Sequence, residues 1–134
     1  IGLDELPDVW GNSTLLQRLF LNLLTNAVRY SDKPLTLINI GVREVRDEVL
    51  GRFATVFVQD NGSGIPVEEQ ASLFNLFQRG GPSSGGSSDG LGVGLALVQR
   101  IVELHFGTIT LESAPGAGTT FLFSLPCEPI ELVR

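Results

Sequence analysis

Two stretches of helical periodicity, set among apolar runs of strand composition, leave a chain of 134 residues few ways to fold. Residues 12–30 place Leu16, Leu19, Phe20, Leu23 and Ala27 at helical spacing, with Asn12 or Ser13 available as a cap. Ser31-Asp32-Lys33-Pro34 ends that helix, because a proline disfavours the helical conformation in the residue before it. Residues 92–105 carry the second long helix. Residues 35–45 and 54–60 are rich in Val, Ile, Thr and Phe and predict strands. Residues 108–113 and 119–125 predict a strand hairpin joined through Ala114-Pro115-Gly116-Ala117-Gly118. Residues 67–77, after Pro66, predict one or two short helices. Helices and strands in this order, closing on a hairpin, predict an α/β (α+β) two-layer sandwich: a mixed, mostly antiparallel sheet of about five strands covered on one face by about three helices. The length suffices for one such domain and not for two, so residues 1–134 are expected to form a single unit with its core between about 6 and 126.

Composition narrows the function classes. Hydrophobic residues make up 43% and charged residues 18%, which excludes a disordered chain. The net charge is −6 and Lys33 is the only lysine, so no dense basic stripe exists to grip a nucleic-acid backbone. One nucleotide needs only local donors and a cation, and that remains open. Cys127 is alone, so an internal disulfide is impossible and a cysteine zinc site is not credible. No run is long and apolar enough to span a bilayer, and no signal-peptide pattern opens the chain. The first residue, Ile1, is not an initiator methionine, and a fragment of a longer protein is expected.

Three segments could carry chemistry. In the first helix Asn22, Asn26 and Arg29 fall at i, i+4 and i+7 and so share a face. Two carboxamides and a guanidinium in a row can hold a hydrated cation and the phosphates it neutralises, with the Asn26 oxygen as a Mg²⁺ ligand. Alone, the same row is a solvated helix face. In Asp60-Asn61-Gly62-Ser63-Gly64-Ile65-Pro66, strand alternation puts Val56, Val58 and Asp60 on one side. A half-buried carboxylate accepts only, which suits an exocyclic amine such as that of adenine; alone, the segment is also an ordinary tight turn. In Asp89-Gly90-Leu91-Gly92-Val93-Gly94-Leu95, alternating glycines entering a helix bare backbone N–H groups that attract phosphate. No Gly-Lys-Ser/Thr follows, so this is no P-loop, and alone it is also a flexible hinge. Residues 80–90 are almost entirely Gly, Ser and Pro and predict a mobile loop.

Order and type together resemble the nucleotide-binding (Bergerat) fold shared by DNA gyrase, heat-shock chaperone ATPases, histidine kinases and mismatch-repair ATPases, the GHKL superfamily. Asn22-Leu23-Leu24-Thr25-Asn26-Ala27 resembles its helical Asn box. Asp60-x-Gly62-x-Gly64 and Gly90-x-Gly92-x-Gly94 resemble its two glycine boxes. Leu73-Phe74-Asn75-Leu76-Phe77-Gln78-Arg79 resembles the Phe box of histidine kinases, and Gly118-Thr119-Thr120-Phe121 their closing motif. The resemblance implies ATP and Mg²⁺ as ligands. Asn26 would ligate the metal with Asn22 in support, and Arg29 would reach the phosphates. Tyr30, Gly62, Ile65, Phe77 and Thr120 would line the purine or ribose. Asp60 would accept the adenine amine, and Gly64 would lie against the ring. Gly90, Leu91, Gly92, Val93, Gly94 and Leu95 would bring backbone to the phosphates. Residues 80–90 would be the lid, its base anchored by Phe74 and Phe77.

The position four before Asn26 separates the branches. The chaperone, gyrase and mismatch-repair branches carry a glutamate there that activates water. This chain has Asn22, and a carboxamide has no basicity near neutral pH. The resemblance therefore favours the catalytic domain of a two-component sensor histidine kinase, which donates the γ-phosphate to a histidine on a separate dimerisation domain. His105, the only histidine, lacks the flanking residues of a phosphoacceptor and is expected to be structural. The expected partners are that dimerisation domain and a response regulator, with no nucleic acid and no membrane contact. The expected place is the cytoplasm, and the fragment is expected to be monomeric and inactive alone. The competing reading is a degenerate kinase-like module that acts by pairing. It is motivated by the absence of Lys and Arg from residues 80–90. Two departures from the family pattern are Asn12, where aspartate is frequent, and Phe106, where glycine is.

Overall fold

The computed structural model describes residues 2–3, 8–29, 31–68, 70 and 91–130. Strand β1 is Gly2–Leu3, helix α1 is Ser13–Arg29, β2 is Ile38–Glu48, β3 is Gly51–Asp60, helix α2 is Leu91–Leu104, β4 is Ile109–Ser113 and β5 is Thr119–Pro126. The five strands form one sheet in the order β1-β2-β3-β5-β4. Only β1 and β2 run parallel; the other neighbours are antiparallel. The two-layer sandwich read from the sequence is the fold observed. Of the expected third helix, residues 67, 68 and 70 are helical, and the rest of that segment lies outside the described residues.

One face of the sheet is covered by both helices. Leu19, Leu23 and Ala27 of α1 and Leu95, Val98, Ile101 and Val102 of α2 pack on Ile38, Ile40, Val56, Val58, Ile109, Phe121, Phe123 and Leu125. Strands β2 to β5 contribute alternate residues to this core, as the pleat requires. Burial of side chains of this size stabilises by roughly 1.5–3 kcal/mol each. Phe20 stands edge-on to Phe123 with ring centroids 5.6 Å apart.

The largest difference from the sequence reading is at residues 46–53, which break the two expected strands but form the tip of a long hairpin. Arg46, Asp47, Glu48 and Arg52 look like loop residues. In the structure their charges are paired at the exposed tip, Arg52 to Asp47 across the two strands at 3.3 Å and Arg46 to Glu44 along β2 at 3.5 Å. The turn is closed by Gly51, whose φ of 136° is one that glycine reaches without a Cβ clash. The register slips at Arg43, between Val42 and Glu44. A bulge of this kind re-aims a side chain, and Arg43 meets Glu112 of β4 at 3.0 Å.

The helices are antiparallel, because α1 meets α2 at two places in opposite order. A Cβ on Gly94, near the start of α2, would lie 3.5 Å from Asn22 Oδ1 and 3.9 Å from the Asn26 amide. His105, just past the end of α2, bonds Asn12 at the start of α1. The start of α1 lies at the far end of the sheet, since Trp10 N donates to Pro126 O at 2.7 Å and β5 ends beside the beginning of β3. The C-terminal ends of α1 and β3 and the N-terminal ends of α2 and β5 therefore share the other end.

Candidate nucleotide site

At that shared end the first group is Asn26. It stands one position before Ala27 on α1, beside the core row, and is 8% exposed. Asn22, one turn earlier, gives its Nδ2 to the Arg18 carbonyl at 2.9 Å. Its Oδ1 lies 3.5 Å from where a Cβ of Gly94 would be, and both amide atoms of Asn26 lie 3.9 Å from the same point. Gly94 thus leaves room directly over two carboxamides. Among the described residues, Asn26 Nδ2 is the buried side-chain nitrogen or oxygen with no hydrogen-bond partner. Such an orphan costs about 1–3 kcal/mol unless something outside the fold takes the bond. A carboxamide offers an NH₂ donor and a carbonyl acceptor whichever way it is turned, and those two groups fit a phosphate oxygen beside a hydrated cation. No cluster of three His, Cys, Asp or Glu side chains exists among the described residues, so a cation here would need oxygens from its ligand.

The second group is Asp60, the last residue of β3, in the same pleat row as Val56 and Val58. Its Oδ1 accepts from Gly62 N at 2.8 Å and from Thr119 N at 3.2 Å. Burial raises its pKa above the ordinary 3.8, while those two N–H groups pull the other way and only partly offset the desolvation. The ionised carboxylate is therefore under-compensated by its own fold. It remains an acceptor poised for an external donor.

The turn after Asp60 is held by side chains far off in sequence. Asn61 accepts from Leu37 N at 2.9 Å and donates to Leu35 O at 3.0 Å, tying the approach to β2. Ile65 N donates to Ser113 Oγ at 2.7 Å, and Gln70 Nε2 donates to Ile65 O at 2.7 Å and to Ser113 O at 3.0 Å. Gly64 has φ 80°, and a Cβ there would run into the Ala114 carbonyl. The need for glycine at 64 thus has a cause inside the fold, the β4–β5 turn. A Cβ on Gly118 would likewise strike the Asp60 carbonyl.

Asn22, Asn26, Gly94, Asp60, Gly62, Gly64 and Ile65 all lie at this end, with Arg29 in the last turn of α1 and exposed. Gly92 and Gly94 lie inside the first turn of α2, which begins at Leu91, one residue before the helix start read from the sequence. One expectation is corrected, that for Thr120. The Leu95 side chain is fully buried in the core, and the expectation there concerned its backbone. Thr120 pairs with Gln59 and Glu112, the pleat row that faces away from the helices; Thr119 occupies the row of Asp60. Parity along a strand cannot be set without its register, which is why the sequence did not show that Thr120 faces away from the helices. Ser113, Asn61 and Gln70 were missed because nothing local marks a side chain whose partners are 24 to 48 positions away. Tyr30, Phe74, Phe77, Gly90 and the 80–90 lid lie outside the described residues, as do the side chains of Leu91 and Val93.

Residues 11–129 match the sequence family described as histidine kinase-, DNA gyrase B-, and HSP90-like ATPase. The chain is 38% identical over 123 residues to cyanobacterial phytochrome A of a Nostoc species, covering 92% of this chain and 15% of that protein. It is 41% identical over 121 residues to the methanogenesis regulatory histidine kinase FilI of Methanothrix harundinacea, covering 90% of this chain and 13% of that one. Among solved structures, the mycobacterial sensor histidine kinase MprB superposes with a TM-score of 0.65 at 28% identity, over 93% of this chain and 80% of the other. Full-length ShkA, solved with AMPPNP, shares the fold with a TM-score of 0.66 at 22% identity, over 93% of this chain and 26% of the other.

Proposed function

Because the chain belongs to the histidine kinase-, DNA gyrase B- and HSP90-like ATPase family, we propose that it binds Mg-ATP at the Asn26–Asp60–Gly94 end and donates the γ-phosphate to a histidine on a separate dimerisation domain. The observation that carries this reading is the orphaned Asn26 amide under the opening at Gly94, at the same end as the desolvated Asp60. Both groups are costly to the fold alone, and both fit the ligand: a carboxylate for the adenine amine, a carboxamide for cation and phosphate.

Asn26 would hold the Mg²⁺, which when bound neutralises charge on the triphosphate. The protein's own share is positioning. Asp60 fixes the purine, and the start of α2 turns backbone N–H groups toward anions. Arg29, in the last turn of α1, adds positive charge at the same end. Asn22 has its amide committed to the Arg18 carbonyl and no basic atom to take a proton from water. The γ-phosphate is then kept for an imidazole supplied from elsewhere. His105 cannot be that imidazole, since it is buried and bonded through both ring nitrogens at the opposite end. The dimerisation domain and a response regulator, in a two-component relay, are the partners that follow.

The test is transfer. Mixed with Mg²⁺, γ-labelled ATP and a histidine-bearing dimerisation domain, the chain should label that domain in an acid-labile form and release little free phosphate. Steady multiple-turnover release of phosphate with no labelled domain would place the chain with the hydrolytic branches instead, and binding without either would leave it a pairing module.

A further inference from the structure

The Ser113 hydroxyl is saturated in a way that fixes a proton elsewhere. Its oxygen accepts from Ile65 N at 2.7 Å, donates to the Gly118 carbonyl at 2.9 Å and lies 2.9 Å from Thr119 Oγ1. A hydroxyl has one hydrogen. Gly118 O can only accept, so the Ser113 hydrogen goes there. The Thr119 hydroxyl must then donate to Ser113, and Thr119 Oγ1 is left with lone pairs alone. Thr119 stands in the pleat row of Asp60, and its N–H bonds Asp60 Oδ1. The Gly62 and Thr119 N–H groups both bond Oδ1 of this carboxylate, and Oδ2 is a second acceptor on the same group.

We infer that Ser113 is a specificity-positioning residue: by taking the Thr119 proton it makes the purine end of the site, Asp60 with Thr119, a pair of acceptors that matches adenine and rejects guanine. This rests on Asp60 being the purine acceptor. The adenine 6-amino group offers N–H where guanine presents the O6 acceptor. The discrimination holds through a bridging water as well. A water that donates to both Thr119 and Asp60 has only lone pairs left, which suit an amine and oppose O6. A site whose polar atoms all face one way rejects the ligand that cannot pair with them.

The experiment compares ATP and GTP affinities, each with Mg²⁺, by calorimetry in the native chain and four variants. In Ser113→Ala the Thr119 hydrogen is free to turn outward, and the ATP-to-GTP preference should fall roughly tenfold. Ser113→Thr restores the hydroxyl and should restore the preference. Gln70→Ala loosens the same turn by removing the bonds to Ile65 O and Ser113 O without touching the Thr119 proton. It should shift both affinities together and leave their ratio unchanged. Thr119→Val deletes the acceptor and should lower the ratio in the same direction, which keeps the test usable where Ser113→Ala does not fold. A native ratio retained in Ser113→Ala or Thr119→Val, or one lost equally in Gln70→Ala, overturns the role of Ser113 while leaving the ATP site standing. A native chain that binds neither nucleotide, or both alike, removes the purine reading of Asp60 and this inference with it.

Discussion

The same two helices meet at both ends of the molecule, and the ends treat polar groups in opposite ways. At the far end everything closes on itself. His105 Nδ1 donates to Ile101 O at 2.7 Å, and Nε2 accepts from the Asn12 N–H at 3.0 Å, so one proton on a neutral imidazole satisfies both partners. Asn12 in turn caps α1, its Oδ1 accepting from Leu15 N at 3.0 Å. Gly11 makes room, since a Cβ there would stand 2.6 Å from the ring. At the other end Asn26 is buried with an unused N–H, and Asp60 carries a charge its surroundings do not repay. A hollow of about 370 Å³ does open at the far end, beside Trp10, Leu104 and Phe106, but its walls are mostly apolar. Concavity alone does not mark function in this fold. Unsatisfied polarity does, and it lies at the end where the sequence placed its three motifs.

The contrast predicts opposite trades between stability and binding. The largest effect should come from Asn26→Leu, close in volume and free of the orphan. Mg-ATP affinity should fall by about a hundredfold or more as the cation and phosphate contacts are lost, while the melting temperature stays level or rises. Calorimetric titration and thermal unfolding on one preparation check both halves. His105→Leu should do the reverse: it strands the Asn12 N–H and should cost about 2 kcal/mol in denaturant unfolding, with nucleotide affinity changed less than about twofold. The smallest effect is expected at Phe106, half-exposed and held at φ 64°, in the left-handed region that disfavours side chains. Phe106→Gly should raise stability by ~0.5–1 kcal/mol, the relieved strain being partly offset by the freedom of glycine in the unfolded chain. That position explains why glycine is the frequent residue there in the family this chain resembles.

The two ends also differ in how far the sequence exposed them. Helix α1 was legible from the spacing of Leu16, Leu19, Phe20, Leu23 and Ala27, because helical periodicity is local, and α2 was read within one residue of its bounds. The three candidate motifs were legible because each is a short run of special residues: Asn22 to Asn26, Asp60 to Gly64, Gly92 to Gly94. The insertion of β5 between β3 and β4 was not, since strand order depends on pairings tens of residues apart. The same limit hid Ser113 and Gln70 and the face of the sheet on which Thr120 stands. The hairpin tip at residues 46–53 was hidden for another reason, that its charges read as a loop although Arg52 pairs with Asp47 across the strands and Arg46 with Glu44 along one of them. Asn12 and His105 were visible singly, but the bond between them spans 93 positions and only the fold shows it.

The central claim is that Asp60 keeps an ionised, poorly compensated carboxylate for the sake of a purine. Its raised pKa means that the folded chain takes up the proton before the unfolded chain does. The cost to stability is therefore present at neutral pH and is relieved as pH falls through the raised value, while the acceptor needed for the purine is lost over that same range. The direct measurement is Mg-ATP affinity by calorimetry against pH, in the native chain and in Asp60→Asn. The account predicts native binding that weakens on acidification before the ordinary aspartate value of 3.8 is reached, and variant binding that is weak and flat throughout. Native-like affinity in Asp60→Asn at neutral pH would contradict it.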